Sequence, residues 1–361
     1  GSTAMSRDSI ETGGEWIASR RAKARPIRLA LVSWQVAAFL GLTFVGATCL
    51  FGECPCSLMA RARATLVGNA GAVRSVAFAP DGATLAAVGF DDSLVLWDLP
   101  TEQGYSLPQV GPDQVRCVAF SPDGKTLAAG SRTTAVTLHD LAARQSRTLH
   151  DAPGATRGAA CLAFAPDGAD LAVGQEDGRI TRWDVATGQP RPTLAGHTSF
   201  VAALAFAPDG TVLASAGGDC AVRLWDLATG RERFAIRDQM SPSVALAFAP
   251  DGRLLVLADL VSPVIRLWDV ATGSERAALR GSTGDVVAVA VSPDGTTLAA
   301  ADFRGVVAFW DLATLQPRPL RLKHAGVHAL AFAPGGRTLA TGGFDGTVHL
   351  WDWPPAGTGR E

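Results

Sequence analysis

At 361 residues the chain has room for two or three ordinary domains, and its 47% apolar content is ample for a buried core. A formal net charge of −2, with basic residues scattered among acids from about residue 60 onward, excludes the contiguous positive footprint of a nucleic-acid binder. Six cysteines over this length exclude a disulfide-stapled scaffold.

Gly-Ser-Thr-Ala ahead of Met5 reads as a vector-derived remnant, and residues 1–28 form a basic N-terminal segment. From Leu29 to Phe51 run 23 residues without a charge. At about 1.5 Å per residue such a helix exceeds the roughly 30 Å of bilayer hydrocarbon, so a transmembrane helix over 29–51 is expected. Arg20, Arg21, Lys23, Arg25 and Arg28 precede it, and only Glu53, Arg61 and Arg63 follow it. That bias puts the N-terminus in the cytoplasm and the rest of the chain on the periplasmic or extracellular side. Two other readings compete. A cleaved signal peptide, with Val45-Gly46-Ala47 as its cleavage site, has an apolar run of only about 7 to 15 residues. A buried soluble helix would need cover around its whole circumference. Arg20-Arg21 lacks the apolar pair that follows a twin-arginine export signal. Ala37 and Gly41, four apart, make a small face for packing against another helix. Residues 52–60 are read as a juxtamembrane linker. In it Cys54-Pro55-Cys56, with Cys49 upstream, is a redox pair, a lipidation site or filler, and its spacing is too tight for a structural zinc site.

From residue 61 to residue 361 the chain is a repeat. A turn of the type Ala/Ser-Pro-Asp-Gly recurs with its prolines at Pro80, Pro122, Pro166, Pro208, Pro250, Pro293 and Pro334, the last as Pro-Gly-Gly. Each turn is followed by Trp-Asp or its remnant, at Trp97, His139, Trp183, Trp225, Trp268, Trp310 and Trp351. Seven units of this length, each with four short strands, predict an all-β, seven-bladed propeller of four-stranded antiparallel blades. In the fourth unit the strands are read at Val201–Phe206, Val212–Ser215, Ala221–Trp225 and Glu232–Ile236, with Ala207-Pro208-Asp209-Gly210 linking the first two. The near-continuous apolar first strand implies burial on both faces, as the strand nearest the axis. Trp353-Pro354-Pro355 stops the last unit before a fourth strand, and residues near 61 to 67 are expected to complete that blade. Cys117 and Cys161 share one slot of two repeats with Ser75 and Ala203, which marks them as small core residues.

The pattern resembles the WD-repeat family of β-propellers over roughly residues 61 to 353. The resemblance implies a hydrogen-bonded tetrad within a blade: the His of Gly-His, a hydroxyl on the second strand, an Asp in the next turn, and the Trp of Trp-Asp. The fourth unit matches fully, with His197, Ser215, Asp219 and Trp225, and the seventh nearly so, with His324, Thr341, Asp345 and Trp351, where Lys323 replaces the glycine. Units one and three keep Asp91 and Asp177 but carry Ala87 and Val173 for the hydroxyl. Unit six has Arg304 at the aspartate position, unit two has His139 for the tryptophan, and unit five carries an extra residue in Leu260-Val261-Ser262-Pro263. The family role makes His197, Ser215 and Asp219 a structural network and not a hydrolytic triad.

The resemblance implies a non-catalytic platform that grips other proteins on the face where second-to-third-strand turns emerge. Just before the turn aspartate, or its equivalent, stand Phe90 in unit one, Phe303 in unit six and Phe344 in unit seven. These units are neighbours in a closed ring, so the three aromatics are expected side by side as an interface hot spot, unless each folds inward over the next blade. Phe200 extends that face, while Glu176 and Arg132 hold the matching places in units three and two and make the other side charged. The expected partners are other proteins, among them an integral membrane complex reached through residues 29–51, and membrane lipid, with no nucleic acid. No cofactor, metal or catalytic residue is expected, because the six histidines lack metal-ligand spacing and no phosphate-binding glycine loop is present. The alternative is a propeller enzyme or ligand sensor with an axial pocket.

Overall fold

The computed structural model describes residues 58–107, 114–132, 135–150, 158–237 and 241–354. The expected span over 29–51 lies outside them, as do residues 1–28 and 52–57. Among the described residues no helix is long and apolar enough to cross a membrane.

The described chain is all strand and turn, arranged as seven antiparallel sheets. Blade four shows the plan: its first strand (Val201–Phe206), second (Val212–Gly217), third (Val222–Asp226) and fourth (Arg231–Ile236) pair in sequence order. The turn after the first strand closes with the Gly210 amide donating to the Ala207 carbonyl at 2.9 Å, and Asp209 accepts from the Thr211 amide at 2.9 Å. Gly210 sits at φ +70°, in the left-handed region that a side chain disfavours.

Burial differs from the sequence pattern in one respect. The innermost strand, Val201–Phe206, is only partly covered, whereas every residue of the second strand, Val212–Gly217, is buried. The first strand presents part of its surface toward the axis, so the layer sandwiched between neighbouring blades is the second strand. Its buried residues join apolar clusters that cross from blade to blade, such as Ala214, Ala216 and Leu224 with Leu255 and Leu257.

Two features close the ring. Each Pro-Asp-Gly turn abuts the next blade: a side-chain carbon at Gly252 would meet Pro208 at 3.4 Å, and one at Gly82 of blade one would meet Pro334 of blade seven at 4.0 Å. The second feature is the expected latch. Ala64–Val67 pairs antiparallel with Thr347–Asp352 as the outer strand of blade seven, with Leu66 opposite Val348. Leu66 is buried in a cluster with Val348 and Leu350 of blade seven and with Leu85 and Trp97 of blade one.

The end of the segment read as a linker also belongs to the ring. Leu58–Met59 pairs parallel with Pro317–Lys323, adding a fifth strand to blade six, and Ala60 packs against the core there.

The latch makes a stability prediction. Leu66→Asp places an unpaired charge in the junction of blades seven and one and should cost roughly 3–5 kcal/mol, whereas Thr65→Asp on the exposed side of the same strand should change little. Chemical-denaturation midpoints of the two variants measure the difference.

Candidate partner-binding face

In blade four the family tetrad is complete. The Trp225 indole donates to Ser215 Oγ at 2.8 Å, the Ser215 hydroxyl lies 2.8 Å from His197 Nε2, and His197 Nδ1 lies 2.8 Å from Asp219. One proton arrangement satisfies every member: indole to serine, serine to imidazole, imidazole to carboxylate. Burial raises the affinity of Asp219 for a proton, but His197, the Thr198 amide and Arg223 outweigh it and hold this carboxyl down at about 2. Ser215 is fully buried and its oxygen already receives the indole, so it is no nucleophile.

Blade seven builds a looser version. His324 Nδ1 meets Thr341 Oγ1 at 2.8 Å, Trp351 donates to the same oxygen at 3.0 Å, and His324 Nε2 lies 3.3 Å from Asp345 and 2.9 Å from Thr347 Oγ1. His324, Asp345 and His349 bring three potential metal donors within 4.8 Å of one another. The two imidazoles, however, stack face to face at 3.7 Å and 7°. Their in-plane lone pairs run in parallel planes and do not converge on one ion about 2 Å from each.

The other blades improvise. In blade one Asn69 donates to Ser93 Oγ at 2.6 Å, and Asp91 accepts from Ser93 Oγ and the Ala70 amide, each at 2.7 Å, while the Trp97 indole beside Ala87 is buried without a partner. In blade six the carboxylate comes from Asp302, two positions before Arg304, which is fully buried and accepts from the Thr283 hydroxyl and the Val306 amide. Blade five pairs Asp259 with Ser243 at 2.7 Å. Cys117 is buried as expected, its thiol pushed up to about 12 by burial.

On the second-to-third-turn face, the three singled-out aromatics converge. Phe303 and Phe344 meet edge-on with centroids 5.5 Å apart. His328 lies 4.0 Å from Phe344, 5.9 Å from Phe90 and 6.4 Å from Phe303. Phe90 and Phe344 are half-buried and Phe303 is 45% exposed. The rings therefore lean over one another, and Phe303 stands out from the cluster. Gly305, at φ +83°, brings its turn against the His324 carbonyl so closely that any side chain there would overlap it. Phe200 does not join the cluster: its ring packs on Gly218 of its own blade. Glu176 is bound by Arg116 of blade two, and Arg132 stays exposed beside Arg74.

Arg74, Arg116 and His328 were missed in the sequence, and one backbone device places all three. Each first strand carries a β-bulge near its start, where one residue has no partner on the second strand. The bulged residues are Arg74, Arg116, Ala160, Ala202, Val244, Val287 and His328 in ring order. The signal was present in the alignment of repeats: three titratable side chains occupy a slot that is otherwise small and apolar. Arg74 lies over the Phe90 ring at 3.8 Å, and burial followed by the Arg116 charge holds it down at about 10. Burial, then Arg74, holds His328 down at about 4.

A profile of the family described as WD domain, G-beta repeat matches residues 61–98, 105–140, 146–184, 188–226, 273–311 and 318–352, together more than half the chain. The unmatched unit is the fifth, which carries the extra residue and lacks the tetrad hydroxyl. No curated protein matches the chain.

Two predictions follow from these networks. Ser215→Ala strands the Trp225 indole and a ring nitrogen of His197 and should cost roughly 2–3 kcal/mol, while Ala87→Ser gives the Trp97 indole an acceptor and should add about 1 kcal/mol, both read by urea denaturation. His328 and His324, each held at about 4 against an ordinary 6.5, protonate more readily in the unfolded chain. Their stability contribution is complete above pH 6.5 and is lost as pH falls toward 4. His328→Leu should flatten the fall in unfolding free energy between pH 7 and 4, and equal slopes for the two proteins would refute the assignment.

Proposed function

The chain belongs to the WD-domain, G-beta repeat family, and from that premise we propose that it is a membrane-anchored, non-catalytic scaffold or accessory subunit that grips another protein on the face carrying Phe90, Phe303 and Phe344. The observation that carries this reading is the convergence of aromatics from three successive blades around His328, with Phe303 outermost at 45% exposure. Aromatic rings lose little conformational entropy on burial, and a preassembled cluster loses less, which suits it as an interface anchor. The non-catalytic role is supported by the engagement of His197, Ser215 and Asp219 in holding Trp225.

Anchoring rests on the 23 uncharged residues from Leu29 to Phe51 and the arginines before them. Those features orient the propeller to the periplasmic or extracellular side, with the span contacting lipid or the helices of an integral membrane complex.

The test uses the full chain in native membranes. Wild type should sediment with membranes, be released by detergent, and carry a stoichiometric partner through purification. Phe90→Ser, Phe303→Ser and Phe344→Ser combined should still sediment with membranes and lose that partner. Retention of every partner by the triple variant rejects the face, and a wild-type chain that stays in the supernatant without detergent rejects the anchor.

A further inference from the structure

The rim of that face is not only aromatic. Arg74 of blade one and Arg116 of blade two occupy successive bulges, close enough that the charge of one acts on the other. Two guanidinium groups side by side repel, and folding gains nothing from the juxtaposition unless an anion is shared. Their satisfaction is unequal. Arg116 is tied to Glu176 across the blade two to blade three junction. Both arginines leave a buried Nε without a hydrogen-bond partner, but among the described residues no ion pair reaches Arg74, which lies over the Phe90 ring, although Asp92 and Arg132 lie within electrostatic range. Phe90 lies under the Arg74 guanidinium at 3.8 Å, and the aromatic cluster runs on from Phe90 through His328 to Phe344 and Phe303.

We propose that Arg74, positioned by Phe90 and assisted by Arg116 and Arg132, receives a side-chain carboxylate from an acidic segment of the partner protein, whose neighbouring apolar side chain lies on Phe303 and Phe344. The inference rests on the partner-binding reading above and gives that partner's contact segment its chemistry. A planar guanidinium held on an aromatic ring suits bidentate carboxylate recognition, because its orientation is set before the ligand arrives. The surroundings favour a short acidic segment confined to the Arg74 arc over a nucleic-acid backbone that runs across the whole face. Asp91, Asp92, Glu176 and Asp345 all lie on the same turn face, and a track of phosphates crossing it would meet them.

The test measures fluorescence anisotropy of two labelled peptides with the detergent-solubilised full chain: acetyl-Glu-Phe-Glu-Leu-Glu-amide and its counterpart with Gln at each Glu. The acidic peptide should bind roughly tenfold more tightly than the Gln peptide, with the difference shrinking as salt rises. Arg74→Gln should remove most of that preference, Arg74→Lys should restore part of it, and Arg132→Gln should reduce it. Arg253→Gln, in the Pro-Asp-Gly turn of blade five, should leave it intact. Unchanged melting temperatures exclude misfolding as the cause. Equal affinity for the two peptides, absence of saturable binding, an Arg74→Gln variant that binds as wild type, or tighter binding of a single-stranded oligouridylate than of the acidic peptide would each overturn the proposal. Its failure is separable from that of the scaffold reading. A natural partner lost by the triple phenylalanine variant but kept by Arg74→Gln leaves the face in place and removes the carboxylate.

Discussion

The structure depends on the mutual burial of second strands. A single blade presents apolar side chains on both faces and has no core of its own, so its sheet is stable only between two neighbours. Leu213, Leu255, Leu298 and Leu339, each buried and each second in its second strand, pack in clusters that reach into the blade beside them. Such an arrangement has no stable end, and closure is what removes the ends. Closure in turn asks the chain to supply the outer strand of blade seven from its front, through Ala64–Val67. The Pro-to-Gly contacts that run from turn to turn around one end of the ring brace the opposite side from the aromatic face.

Because apolar packing supplies the cohesion, the polar tetrad is free to differ from blade to blade, and it does. Blade four carries it with short bonds throughout, and blade seven carries it with His324 reaching Asp345 at 3.3 Å. Blades one and five leave the Trp97 and Trp268 indoles buried without acceptors, a cost of order 1–3 kcal/mol each that a core of this extent absorbs. Blades five and six recover part of the lost polar closure through carboxylates at the end of the second strand. Asp259 accepts from Ser243, and burial raises its proton affinity above the ordinary aspartate range against the opposing pull of that serine and of Arg266. Asp302 accepts from Thr283 and a backbone amide instead of from a histidine. The turn therefore keeps its shape in blade six although Arg304 stands where the aspartate belongs, and Phe303 keeps its place.

Blade number, turn positions and the latch were legible in the sequence because each is a local signal repeated at a fixed spacing. The convergence of Phe90, Phe303 and Phe344 was legible for the same reason: equivalent slots of adjacent repeats become neighbours in a ring. Three things were not. The burial of the second strand over the first depends on how blades splay from the axis, which apolar runs of similar length do not encode. The pairing of Leu58–Met59 with blade six is too short to carry a periodic pattern. Phe200 stands apart from the aromatic cluster because it belongs to blade four, away from blades six, seven and one, and its ring fills the space that Gly218 leaves by having no side chain.

The bulge in each first strand links the two halves of the account. A residue opposite no partner is exempt from the pairing and packing that hold the rest of the blade to one pattern. Its identity is then set by what lies in front of it and not by the fold. Around this ring the exempt positions run Arg, Arg, Ala, Ala, Val, Val, His, which gives one arc cations and aromatics and the opposite arc small apolar side chains. A sevenfold scaffold is thereby made directional, with blades seven, one and two as the chemically distinct sector. The same sector is where the latch enters, since Leu66 packs at the junction of blades seven and one with Val348, Leu350, Leu85 and Trp97.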